Sequence, residues 1–83
     1  MAKTYNIEIK KKAYPDDTKV AKGDTVVWTN KMGMKHTVTA DKGEFDSKPF
    51  GQNASFKHTF ATAGSFAYHC EIHEEMKGKV TVT

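Results

Sequence analysis

The sequence predicts an all-β chain folded as a sandwich of two sheets, and three observations carry that prediction. Short segments alternate apolar with polar side chains, which is the period of a strand with one buried face. The composition leans the same way, with ten Thr, six Val and nine aromatic residues against no Leu. Turn-forming residues recur between the alternating segments, and no helical period of ordinary length interrupts them. Residues 1–83 then make one small domain, at a length of 83 residues where a bound metal contributes usefully to stability.

Taken in order, Tyr5 to Ile9 places Tyr5, Ile7 and Ile9 on one face of a half-buried strand. Lys10, Lys11 and Lys12 close it as a solvated end. Tyr14-Pro15-Asp16-Asp17 is turn chemistry, followed by a short strand from Thr18 to Val20. Gly23-Asp24 turns the chain again into Thr25 to Thr29, with Val26 inward and Trp28 as the expected centre of the core. Asn30 to Lys35 is a loop around Gly33 that delivers His36 to the start of a strand over Thr37-Val38-Thr39. From Asp41 to Asn53 no period survives, so this stretch is an irregular crossover anchored by Phe45 and Phe50. Ser55 to Phe60 alternates with Phe56, His58 and Phe60 on one face. After an Ala63-Gly64 turn, Ser65 to His69 leads into Cys70, and Lys79 to Thr83 closes the fold with Val80 and Val82 inward.

Composition removes several function classes. Every basic residue is Lys, and without Arg the chain lacks the planar fork preferred for phosphate and base recognition. Nucleic acid is therefore not an expected partner, despite a net charge of +3. A single Cys excludes an internal disulfide. No apolar run reaches membrane-spanning length, and no leader-like stretch stands at the start.

The chemistry is concentrated in Cys70 to Met76, CEIHEEM, where a thiol, an imidazole and a thioether recur every third residue. Soft sulfur donors select copper(I), while imidazole suits copper(II). Two nitrogens and a thiolate with a long axial Met make the donor set of a copper ion that shuttles between both states. The loop is one imidazole short, and His36 supplies it. The other candidates have plainer readings. His69 follows the strand alternation to the face opposite Cys70. His58 is a hydrogen-bonded core or sheet-edge residue. Met32 and Met34 flank Gly33 as an apolar rim.

GDTVVWTNKMGMKHTV followed by GSFAYHCEIHEEMKGKVTV resembles the cupredoxins, nearest to their amicyanin and plastocyanin branch. The resemblance implies a Greek-key β-sandwich with one type 1 copper held by His36, Cys70, His73 and Met76. It also implies a soluble, monomeric, non-enzymatic electron carrier working in the periplasm, a lumen or outside the cell. Redox partner proteins then dock at the copper end near Met34 and His73. A copper carrier or chaperone, or an electron-accepting domain of a larger copper oxidoreductase, is the alternative. A Cys/His hydrolase built on Cys70, His73 and Glu71 is disfavoured, since a thiol between two imidazoles and a thioether is a ligand set first. Three positions depart from the family: Lys35 and Ile72 stand where relatives have Pro, and Thr37 where they often have Asn. By resemblance the Thr37 N–H donates to the thiolate. Ile72, unlike Pro, has an N–H that is expected to be a second donor.

Overall fold

Because each alternating segment has one apolar face, the strands bury those faces against one another in two sheets. The structure, a computed structural model, describes residues 2–83. It holds β1 (Thr4–Ile9), β2 (Thr18–Val20), β3 (Thr25–Asn30), β4 (Thr39–Ala40), β5 (Ser55–Thr59), β6 (Gly64–His69) and β7 (Lys77–Val82). One sheet has the order β1-β3-β5 and the other β2-β7-β6-β4. The β1–β3 and β2–β7 pairs are parallel, and the remaining pairs are antiparallel.

The expected inward residues Ile7, Ile9, Val26, Trp28, Val80 and Val82 are all buried. Trp28 lies at the centre, stacked on Phe45 and Phe56 at centroid distances of 6.1 and 5.9 Å. Its indole N–H donates to the Tyr68 hydroxyl at 3.2 Å, so the one polar atom of the ring is satisfied. Burial pushes the Tyr68 hydroxyl pKa up to about 12. Gly78 on β7 pairs with Tyr68 on β6, and a Cβ at that position would fall 2.6 Å from the tyrosine ring and 2.9 Å from Tyr14 Cβ. At the turn before β3, Gly23 takes a φ of +91° and the Asp24 carboxylate accepts N–H bonds from Lys3 and Ala21 at 2.8 and 2.9 Å. These two bonds hold the Asp24 carboxyl below its ordinary range.

His58 sits on β5, an edge strand, with its ring 4.7 Å from Phe45 and 4.8 Å from Phe60. The sequence left core and sheet edge open for this residue, and the structure places it on the edge strand.

One strand is not where the sequence puts it. Thr37-Val38-Thr39 was expected to pair, yet β4 contains only Thr39 and Ala40. The reason is that two backbone donors are diverted: Thr37 N–H points to Cys70 Sγ, and Val38 N–H bonds Ser47 Oγ at 2.8 Å. His36 instead forms an isolated bridge with Phe50, and Thr39 another with Asp46. The crossover is irregular as expected, with Phe45 buried and Phe50 packed against the core.

Candidate metal centre

His36 is brought to one end of the sandwich by its bridge to Phe50, with backbone bonds of 3.2 and 3.0 Å in the two directions. The loop before it is pinned by Asn30, whose amide donates to the carbonyls of Met34 and Phe50 at 2.8 and 3.1 Å and accepts from Met32 N–H at 2.8 Å. Asn30 is fully buried and is the residue that shapes this approach. In the sequence it appears only as the first residue of the loop around Gly33.

Cys70 follows β6 directly and is fully buried. The loop it opens closes on itself, since Cys70 N–H bonds Met76 O at 3.0 Å and Met76 N–H bonds His73 O at 2.9 Å. These bonds turn three-residue spacing into spatial convergence. His36, Cys70 and His73 each place one donor atom within 4.8 Å of the others, and His36 Nδ1 lies 3.9 Å from Cys70 Sγ. The two imidazole centroids are 5.0 Å apart, inclined at 46°. Met76 is fully buried in the adjoining core. His69 faces elsewhere, as the alternation predicts, with Nδ1 2.6 Å from Asp41 Oδ1.

Among the described residues, two buried side-chain nitrogens at this end have no partner: His36 Nε2 and His73 Nδ1. A buried nitrogen without a partner costs about 1–3 kcal/mol, so the orphaned His73 Nδ1, in the same cluster as the thiol, calls for a ligand, while His36 faces the thiol with its other nitrogen, Nδ1. The separation of His36 Nδ1 and Cys70 Sγ also suits two donors on one ion with bonds of about 2.0 and 2.3 Å. The donor set therefore fits copper. Burial, then the facing His73 and Lys12, lower the His36 pKa and keep its lone pair free for a metal.

The thiol accepts two backbone N–H contacts at 3.4 Å, from Thr37 and from His73. Thr37 is the expected donor. The second is His73 and not Ile72, because the loop curls so that the N–H one residue further on faces the sulfur. Thr37 also acts through groups the sequence did not reveal: its carbonyl accepts the Tyr14 hydroxyl at 2.6 Å, and its own hydroxyl accepts Glu71 N–H at 2.9 Å. Burial first, and the Cys70 thiol second, push the Tyr14 hydroxyl pKa upward.

The family described as copper binding proteins, plastocyanin/azurin family, matches residues 4–83. The chain belongs to this family. Among its plastocyanin and amicyanin relatives, the chloroplastic plastocyanin of Physcomitrium patens is 36% identical over 86 residues, covering 84% of this chain and 49% of that protein. The plastocyanin of Scenedesmus fuscus is 33% identical, with 82% of this chain and 83% of that protein covered. Amicyanin of Paracoccus denitrificans is 38% identical over 69 residues, covering 72% and 50%. The chain thus spans about half the length of the Physcomitrium and Paracoccus relatives. In three dimensions an oxidized amicyanin mutant superposes with a TM-score of 0.88 at 30% identity, covering 95% of this chain and 81% of that one. A reduced Cu(I) form of another amicyanin mutant gives a TM-score of 0.87 at 31% identity, covering 96% and 82%. The plastocyanin/azurin fold thus accounts for both sheets and for the crossover between them.

Proposed function

We propose that this chain is a one-electron carrier and not an enzyme, with a single type 1 copper held by His36, Cys70, His73 and Met76. The observation that supports this most directly is a buried thiol converging with two imidazoles that keep partnerless nitrogens. Copper, when bound, supplies the Cu(I)/Cu(II) couple. The protein's residues do the rest. His36 and Cys70 are held by backbone bonds on both sides of the centre, so little has to move between oxidation states. The N–H groups of Thr37 and His73 withdraw density from the sulfur and so favour the reduced state.

Electrons pass through half-buried His73, whose Nδ1 is sealed inside. Redox partner proteins dock around it. Among the described residues, Met34 and Ile72 are the large exposed hydrophobic ones, and they lie on the two loops that carry His36 and His73. No described helix is long and apolar enough to cross a membrane. The carrier works as a monomer in a periplasm, a lumen or outside the cell, and nucleic acid is not among its partners. A copper chaperone, or an electron-accepting domain of a larger oxidoreductase, is the alternative assignment.

The test is the visible spectrum of the protein titrated with copper(II). One equivalent is expected to give an intense blue thiolate-to-copper band, and Cys70→Ser is expected to abolish it. A colourless wild-type complex, or a band that survives in Cys70→Ser, would refute the assignment.

A further inference from the structure

Thr37 is buried and uses every polar group it possesses, two of them toward the Cys70 loop. Its hydroxyl oxygen also lies 3.0 Å from Thr39 Oγ1, which lies 3.2 Å from Asp46 Oδ1. Asp46 is a firm terminus for this row. It accepts the Lys48 N–H at 2.9 Å and the Lys48 ammonium at 3.2 Å, and its backbone is bridged to Thr39. The Lys48 N–H first, with lesser help from the Lys48 ammonium and the Thr39 hydroxyl, holds its carboxyl below the ordinary range.

The Thr39 hydroxyl is the donor toward both neighbours, its one proton shared between the Thr37 hydroxyl oxygen and the Asp46 carboxylate, which only accepts. The Thr37 hydroxyl oxygen accepts on two sides, from Thr39 and from the Glu71 N–H. Asp46 fixes where the Thr39 hydroxyl sits, and Thr39 in turn fixes the oxygen that the Glu71 N–H meets.

We infer that Asp46, which lies outside the donor set, is a positioning residue. Through the hydroxyls of Thr39 and Thr37 it holds the Cys70–Glu71 peptide against the His36 segment. The tie keeps Thr37 N–H aimed at the sulfur, and only that last consequence rests on the copper assignment above.

The test is amide hydrogen exchange at Glu71 in the metal-free protein, with the Val80 amide in β7 as the reporter of global opening. Thr37→Val is expected to speed exchange at Glu71 about fivefold relative to Val80, the loss of one hydrogen bond of about 1 kcal/mol. Thr37→Ser should restore the wild-type ratio. Thr39→Val and Asp46→Ala touch neither Glu71 nor Cys70, yet both should raise the ratio. If both leave it unchanged, or speed the two amides equally, the inference is overturned. With copper bound, Thr39→Val changes no charge and should lower the reduction potential while keeping the blue band. An unchanged potential would overturn the effect on the sulfur. Absence of the band from the wild type would instead refute the copper assignment and leave the exchange result intact.

Discussion

Gly78→Ala is the most informative single change to the sandwich. The added methyl carbon would sit 2.6 Å from Cζ and the hydroxyl oxygen of Tyr68, and 2.9 Å from Tyr14 Cβ. Neither neighbour can yield cheaply. Tyr68 is buried, its ring packed at 5.0 Å from Tyr14 and 5.4 Å from Trp28, and its hydroxyl receives the Trp28 N–H. Overpacking costs about 1–3 kcal/mol. Displacing the tyrosine oxygen leaves the Trp28 N–H unpaired in the core, for about 1–3 kcal/mol more. Loss of glycine's freedom in the unfolded chain returns about 0.4–1 kcal/mol. The net destabilisation is about 2–4 kcal/mol, the lower range reflecting partial relaxation. For a domain of this size it amounts to a fall in melting midpoint of roughly 10–25 °C. Urea denaturation of the metal-free protein, followed by Trp28 fluorescence, measures it directly. The native emission should also shift as the indole loses its partner. A change below about 0.5 kcal/mol, the range of ordinary surface substitutions, with unaltered emission would refute the reasoning.

Two further outcomes are expected. Burial between Phe45 and Phe60 lowers the His58 pKa, with Glu44 opposing. The unfolded chain therefore takes up this proton first, near pH ~6.5, and stability is lost as pH falls through that value toward the lower folded pKa. His58→Phe should flatten the pH dependence of the metal-free melting midpoint below about pH 6.5, leaving the part due to His36. A slope equal to wild type would exclude the ring as its source. Because the sulfur is bonded by Thr37 and His73, Ile72→Pro removes no donor to Cys70 and should leave the potential of the copper form nearly unchanged. A marked fall would place the Ile72 N–H on the sulfur after all.

The fold was largely legible because alternation reports burial directly. Ile7, Ile9, Val26, Trp28, Val80 and Val82 are inside for the reason that made them conspicuous in the sequence. Alternation fails at Thr37-Val38, where the backbone N–H groups leave the ladder for a sulfur and a serine hydroxyl. Propensity cannot see such a diversion, since Thr and Val are strand formers either way. The convergence of His36, Cys70 and His73 follows from spacing and resemblance together. The N–H that meets the sulfur depends on how the loop curls, which Ile72 and His73 do not encode by residue type. Asn30, Tyr14 and Asp46 were silent for a related reason. Their partners are backbone atoms or hydroxyls distant in sequence, and no local pattern marks a long-range hydrogen bond.

The position of β7 has a consequence for how the chain is made. It lies between β2 and β6, although the ribosome delivers it after both. The four-stranded sheet therefore waits with a gap at its middle until β7 is made, and among the described strands β2 has no ladder partner before then. The Cys70 N–H likewise has no Met76 carbonyl to meet before then. Vectorial translation cannot fold this sheet strand by strand. Its completion requires β7 to insert between two strands that preceded it, joining β2 in parallel across a long span of chain.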